Sequence, residues 1–247
     1  MDKEALLFEE LSLNLHPALQ TQLYDGWVLL FANGYTRRAN SVCPLYPSAL
    51  GLQEKIAECE SRYSSLGLPA SFKLLESTGL GLDEALEQRG YRYDMPTDVM
   101  AMDLRGKAFP FGGCETTGGV DDAWLDAYFA FSNYTEDSAK ATATQILANV
   151  RSPMVCGRIV KGGTSVACGI GVIERGFMGL NKIVVDERER GKGFGREICE
   201  SLLAAGISVG AHTAYLQVAQ ENQGAVSLYT KLGFSRKYTY WYRIKDK

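Results

Sequence analysis

Arg190-Gly191-Lys192-Gly193-Phe194-Gly195 is the stretch of this 247-residue chain whose residue types and spacing most directly suggest chemistry. Three glycines alternate with long side chains where an apolar strand-type run, Ile183-Val184-Val185, passes through a charged turn into a helix-type pattern. Glycine has no Cβ, so several backbone N–H groups of such a loop can approach one anion closely, and the helix that follows adds the positive end of its dipole. Arg188, Arg190, Lys192 and Arg196 supply cations that can reach the same anion.

Two nucleotide-binding readings fail on spacing. A dinucleotide fingerprint needs G-x-G-x-x-G and an acidic residue about 20 positions on. Here the third glycine comes one place early, and no acidic residue falls between Glu200 and Glu221. A Walker A loop needs Gly-Lys-Ser/Thr after its spacer, which Gly191-Lys192-Gly193 does not supply.

The elements that must hold the loop follow from periodicity and turn chemistry. Met154–Lys161, Thr164–Glu174 and Phe177–Val185 read as strands joined by Gly162-Gly163 and Arg175-Gly176, an antiparallel meander. Beyond the loop, Phe194, Ile198, Leu202 and Leu203 share one face of a helix that Gly206 is expected to close. Thr213–Ala219 is a strand. Asn222 can cap a helix with Ala225, Leu228, Tyr229 and Leu232 on one face, stopped by Gly233, and Phe234–Ile244 reads as the closing strands. Upstream, helices are expected over Asp121–Phe131 and Ser138–Val150, separated by the polar loop Ser132–Asp137.

Residues 1–107 form a different segment. A helix over 1–15 ends at His16-Pro17, and Gly26–Phe31 is a strand. Asn33-Gly34 signals a hairpin returning through Tyr35–Val42. Leu50–Leu66 is an amphipathic helix, Ser71–Glu76 a strand, Leu82–Arg89 a helix stopped by Gly90, and Tyr91–Leu104 one or two strands around Pro96. Gly106, Pro110, Gly112, Gly113, Gly118 and Gly119 mark a linker, which divides the chain into 1–107 and 108–247. Ala85–Tyr93 and Ser227–Ser235 both run from a helix through Gly-aromatic into a strand-like stretch, a weak internal repeat.

Composition narrows the function classes. Hydrophobic residues make up 46% and charged residues 22%, enough for a folded core, and the net charge of −3 gives no general attraction to nucleic acid or acidic membranes. No apolar run is long enough to cross a membrane, and the acidic N-terminus does not resemble a signal peptide. Six scattered cysteines without a C-x-x-C pair read as reduced, mostly buried thiols of a cytoplasmic protein. His16 and His212 are isolated, so neither a histidine metal site nor a Ser-His-Asp triad is expected.

Arg190-x-x-Gly193-x-Gly195 at a strand-to-helix junction behind a meander resembles the pyrophosphate loop of the GNAT N-acetyltransferases. A second stretch, Leu216–Phe234 with Asn222, Ala225, Tyr229 and Gly233-Phe234 in register, resembles that family too, and residues 115–245 look like a complete GNAT domain. The resemblance implies an α+β fold, a mixed and mostly antiparallel sheet flanked by helices. The smaller α/β segment before it would be a degenerate GNAT-like repeat that binds no CoA.

The resemblance also implies an acetyl-CoA-dependent transferase acting on a primary amine by direct attack in a ternary complex, with acetyl-CoA as substrate and no metal. Gly191, Lys192, Gly193, Phe194, Gly195, Arg190 and Arg196 would hold the pyrophosphate, and Ile183, Val184 and Val185 would lend main-chain hydrogen bonds to the pantetheine arm. Asn222 and Ala225 would complete the cofactor contacts, and Tyr229 stands where the family commonly keeps the acid that protonates the departing thiolate. The family's strand glutamate is absent, since Gly179 occupies its place; Glu174, Glu136 or a water relay are the substitutes.

The acceptor, whether a small molecule, an amino acid or a peptide or protein amine, is not specified by these residues, nor is homodimer formation. Arg37, Arg38 and Asn40 could meet substrate or sit on an exposed strand. Two alternatives stay open at this point, a non-catalytic acyl-CoA sensor and a transferase of another acyl group.

Overall fold

The computed structural model describes residues 2–78, 80–132, 134 and 136–245, with nothing stated for the side chain of Leu80. Compactness divides the chain into two units that are not contiguous in sequence. The first is Met1–Asp98, Ala219–Glu221 and Lys237–Lys247, and the second is Val99–Val218 and Asn222–Arg236. A single cut near 108 therefore does not separate them. The reason is that the chain changes unit inside its strands rather than in the glycine-rich stretch.

In the first unit, helix α1 (Lys3–Leu15) is capped by Asp2, whose carboxylate accepts from the Ala5 N–H. Strands β1 (Gln20–Tyr24) and β2 (Trp27–Phe31) form an antiparallel hairpin. Then come β3 (Val42–Pro44), α2 (Leu52–Ser65), β4 (Ser71–Leu75), α3 (Leu80–Gln88) and the start of β5 (Arg92–Asp103). The last strand of the chain, β11 (Ser235–Ile244), pairs antiparallel with β4, from Tyr240↔Leu75 to Ile244↔Ser71. The strand order within this unit is β1-β2-β3-β4-β11. Its core packs Trp27, Leu29, Phe31, Ile56, Tyr63, Phe72 and Leu86.

The second unit contains β6 (Cys114–Thr117), α4 (Asp122–Phe131), α5 (Asp137–Ala148), β7 (Met154–Lys161), β8 (Thr164–Glu174), β9 (Phe177–Val185), α6 (Phe194–Ser208), β10 (Thr213–Ala219) and α7 (Gln223–Leu232). Its strand order is β5-β10-β9-β8-β7-β6. β6 through β9 are antiparallel to their neighbours, whereas β10 runs parallel to β9. Its core joins Met178 and Leu180 of β9, Ile198, Leu202 and Leu203 of α6, Leu216 and Val218 of β10, and Tyr229 and Leu232 of α7. Trp124 of α4, 2% exposed, donates its indole N–H to the carbonyls of Gly157 and Gly169 at 3.2 and 3.1 Å, which fixes α4 to β7 and β8.

Four local expectations are corrected. The run after Asn33-Gly34 is a 3-10 turn, Arg37–Ala39, not a return strand. Buried Asn40 organises it: its side-chain oxygen accepts from the N–H of Ala32 and Gly34, and its nitrogen donates to the carbonyls of Ala32 and Thr36. The antiparallel return through Asn33-Gly34 is made further on by β3, which pairs with β2 from Trp27↔Pro44 to Leu29↔Val42, and a second hairpin lies at Asp25-Gly26, between Tyr24 and Trp27. α6 continues past Gly206, where a Cβ would come within 2.2 Å of the Met178 sulfur, so this glycine admits a core side chain rather than ending the helix. Finally, the glycine-rich segment contains β6, and the residues after Phe234 make one strand, β11, not two.

The cysteines are free thiols, with Cys114 half-buried and the rest buried. Burial pushes Cys59, Cys156, Cys168 and Cys199 up to about 12, which leaves them poor nucleophiles at neutral pH. No described helix is long and apolar enough to cross a membrane.

Candidate active site

The site lies in the second unit, where β9 and β10 part. Their parallel pairing covers Phe177↔Thr213, Met178↔Ala214 and Gly179↔Tyr215. Both strands continue beyond it, β9 to Val185 and β10 to Ala219. Over this stretch Asn181–Val185 turn from buried to half-buried although the strand is central, because the neighbour on one side has diverged.

A bulge assists the divergence. The β8–β9 register slips between Cys168↔Val184 and Ile170↔Asn181, and Lys182 adopts φ 53°, a left-handed conformation that a non-glycine residue seldom takes. The Asn181 side chain accepts from the Lys182 N–H at 2.8 Å and holds this turn. The Lys182 ammonium lies 3.2 Å from the Tyr128 hydroxyl and 4.7 Å from its ring centre, and Tyr128 stacks on Trp124 and contacts Tyr134. No glycine or proline marks this bulge in the sequence, and neither Lys182 nor Tyr128 belongs to a motif that points to it. Asn133 and Thr135 of the same interhelical loop lie outside the described residues.

At the end of β9 comes the glycine loop. Gly191 (φ 78°) and Gly193 (φ 94°) are left-handed, and an added Cβ at either would meet nothing within 4 Å. They are needed for backbone conformation and leave the concave side of the loop open. Gly193 caps α6 without any side-chain acceptor, in contrast to α4 and α7, which Asp121 and Asn222 cap. The first turn of α6 therefore keeps donors and a positive dipole end to offer an anion. Gly195 is required for packing, since its Cβ would touch Leu228 at 3.3 Å and Val185 at 3.8 Å, which brings β9, the loop and α7 together.

Arg190, Lys192 and Arg196 pair with Glu187, Glu189 and Glu200 at 3.2, 3.0 and 3.1 Å. These are exposed short-range pairs worth about 0–1 kcal/mol, so a phosphate can displace them. Arg188 is exposed, its backbone N–H donating to Asp186. Asn222 commits its side-chain oxygen to the Ala225 N–H at 3.1 Å, leaving the amide nitrogen as the donor it can present to a ligand.

Tyr229 is 8% exposed, edge-on to Phe234 at 6.0 Å, and belongs to the cluster against which Ile183, Val185 and Ala225 pack. Gly179 sits at the apex, in register with Tyr215 on one side and Val172 on the other. Residues two apart on a strand share a face, so Glu174 lies on the same face as Val172, Gly179 and Tyr215. Burial pushes the Tyr215 hydroxyl up, and the Glu174 carboxylate adds to the shift, so the Glu174 charge is felt at the apex. Glu136 is exposed just before α5. Among the described residues, no three of His, Cys, Asp and Glu gather as a metal site.

An open glycine loop below two diverging parallel strands is the arrangement expected of a GNAT N-acetyltransferase. The family model described as "Probable histone acetyltransferase Rv0428c C-terminal" matches residues 8–243, and the chain belongs to that family, an N-acetyltransferase family. An uncharacterized N-acetyltransferase of Bacillus subtilis (strain 168), YobR, is 29% identical over 245 residues, covering 96% of this chain and 97% of that protein.

Among solved structures, a GCN5-related N-acetyltransferase from Kribbella flavida is similar with a TM-score of 0.73 at 17% identity, covering 98% of this chain and 96% of that one. A tandem GNAT protein from the clavulanic acid biosynthesis pathway has a TM-score of 0.64 at 11% identity, covering 84% of this chain and 76% of that one. At these identities the structures speak for the fold, which is the GNAT fold.

Proposed function

We propose that this GNAT-type enzyme uses acetyl-CoA and passes the acetyl group directly to a primary amine within a ternary complex, in the cytoplasm. The carrying observation is the short β9–β10 pairing, which ends at Gly179↔Tyr215 directly upstream of the open glycine cradle. Backbone N–H groups of Gly191–Gly195 take the pyrophosphate, joined by the side chains of Arg190, Lys192 and Arg196. The main chain of Ile183, Val184 and Val185 pairs with the pantetheine arm as a strand would, and Asn222 and Ala225 contact it from α7. Glu174 favours the neutral form of the incoming amine, and Tyr229 protonates the departing thiolate. Acceptors to try first are small amines, amino acids and lysine-bearing peptides, the last because the family description names a histone acetyltransferase.

Isothermal titration with acetyl-CoA, paired with a free-thiol assay of CoA release, tests this reading. Gly193→Val forces a β-branched residue into φ 94° at the cradle, a strain of about 1–3 kcal/mol before any lost contact. We expect acetyl-CoA affinity to fall at least about tenfold, which corresponds to 1.4 kcal/mol. Unchanged affinity would place the pyrophosphate elsewhere. For Glu174→Gln, kcat/KM should fall about 10²-fold or more. An unchanged kcat/KM would remove Glu174 from the reaction and leave a water relay.

A further inference from the structure

The two units repeat one element order. From α1 to β5 the first unit runs helix, three strands, helix, strand, helix, strand, and from α5 to β11 the chain does the same. In each, two antiparallel pairings lead to a short parallel one: β3 meets β4 at Val42↔Phe72 as β9 meets β10. In each, the first two strands of the three are joined by two left-handed residues, Asp25 (φ 42°) and Gly26 (φ 80°) in one, Gly162 (φ 58°) and Gly163 (φ 81°) in the other. The counterpart of the glycine cradle is therefore the segment from Leu45 to Gly51, which leads into α2. Gly51 caps that helix without a side-chain acceptor, as Gly193 caps α6.

What differs is what the turn presents to the cradle. In the second unit the turn is Gly162-Gly163, without side chains. It lies beside the start of α6, since Lys161, the residue before it, reaches within 5.7 Å of the Phe194 ring. In the first unit the turn carries Asp25. Its carboxylate accepts from the N–H of Ala49 at 3.0 Å, the N–H of Leu50 at 2.9 Å and the Ser48 hydroxyl at 2.9 Å. Lys55 of α2, whose side chain is 1% exposed, places its ammonium 3.1 Å from the same carboxylate and over the Trp27 ring, and donates to Ser48. The turn is pressed against the segment: a Cβ on Gly26 would lie 2.2 Å from the Pro47 carbonyl oxygen.

We propose that Asp25 is a built-in substitute for a bound oxyanion, so that the first unit carries an anion cradle closed by the chain's own carboxylate and the protein takes one acyl-CoA per chain. The second clause rests on the reading given under Proposed function. Two backbone N–H groups, a hydroxyl and a buried ammonium are a donor set for phosphate or carboxylate. A tethered carboxylate competes at an effective concentration that a free anion does not reach. The Ala49 and Leu50 N–H groups hold the Asp25 carboxyl well below the usual carboxylate range, as a bound anion requires. Beside the latch lies a cleft of about 480 Å³, lined by Trp27, Leu45, Leu50, Leu52, Lys55 and Leu82, where the substituent of a larger anion would fit.

Asp25→Gly tests the proposal, because glycine accepts the left-handed turn and the deleted group is the size of acetate. Thermal unfolding is followed against sodium acetate and inorganic phosphate, with sodium chloride at matched ionic strength. We expect a midpoint below that of the wild type, raised saturably by acetate and phosphate, with a gain exceeding that of the wild type and lost in the double variant with Lys55→Met. A response equal to the wild type's overturns the proposal.

Should the glycine variant not fold, the Asp25 carboxyl carbon is followed by NMR in the wild type: ionisation persisting well below pH 3.8 supports the latch, and titration at 3.8 overturns it. Titration of the wild type with CoA is expected to give one site per chain, and two sites overturn the closed cradle. No CoA binding would sink the acetyl-CoA reading, while the acetate response would still decide the latch.

Discussion

Tyr229→Phe is expected to lower kcat by about 10²–10⁴-fold while acetyl-CoA affinity holds, the loss a positioned general acid usually accounts for. The ring is a core aromatic, edge-on to Phe234 and in the cluster with Leu216, Val218 and Leu232, and phenylalanine fills the same volume. Stability should therefore fall by no more than one hydrogen bond, about 1 kcal/mol. This separates the chemical role from the packing role that the same position also serves. A leaving group of lower pKa should narrow the deficit. Wild-type kcat across the pH range would reduce Tyr229 to a wall of the cleft.

Lys73→Met is expected to destabilise the first unit by about 3–5 kcal/mol, the cost of leaving one member of a buried ion pair unpaired. The Lys73 ammonium is 2.5 Å from Glu9, which also accepts the Tyr238 hydroxyl at 2.8 Å, and it lies 4.0 Å from the centre of the Tyr240 ring. Glu9 is fully buried and Lys73 6% exposed. α1, β4 and β11 are thus joined at one point, and the unit that contains both ends of the chain depends on it.

Burial by itself would lower the Lys73 ammonium, but the Glu9 carboxylate, followed by Tyr240, raises it above its ordinary 10.5. A folded pKa above the unfolded one gives stability that is complete below 10.5 and lost as pH rises through the folded value. Chemical denaturation should show the deficit at neutral pH, and the Lys73 contribution to wild-type stability should be lost on the alkaline side. The double variant with Glu9→Leu should recover most of the loss, because an apolar pair replaces a buried charge. A single-variant cost below about 1 kcal/mol, the size of an exposed pair, would show that the site is solvated.

The same pair bears on how the halves are completed. β11 is held to the first unit by Tyr238 on Glu9 and by Arg243, whose guanidinium meets both oxygens of Asp83 at 2.8 and 2.9 Å. The end of β5 serves the second unit in return. β5 is thus split between the units at Asp98–Val99, and β11 belongs to the first unit from Lys237 on.

The sequence by itself determined the local chemistry of this protein. The meander's strands, the left-handed glycines of the cradle, the Asn222 cap and the Gly233 stop all follow from patterns a few residues long, and each stands where those patterns put it. Tertiary structure decided what depends on partners far along the chain. Parting of β9 from β10 reflects a bulge at Lys182 that no turn residue announces. Gly206 looked like a helix stop because the side chain it admits, Met178, lies on another element. Asn40 folds inward because its hydrogen-bonding groups meet backbone across a turn, where periodicity predicts an exposed strand. Side-chain period reports which face a residue shows; it does not report which strand pairs with which, or where pairing stops. The backbone conformation of the glycine loop was therefore legible from its residues alone. Only the folded chain shows one cradle open below diverging strands and a second one filled by Asp25.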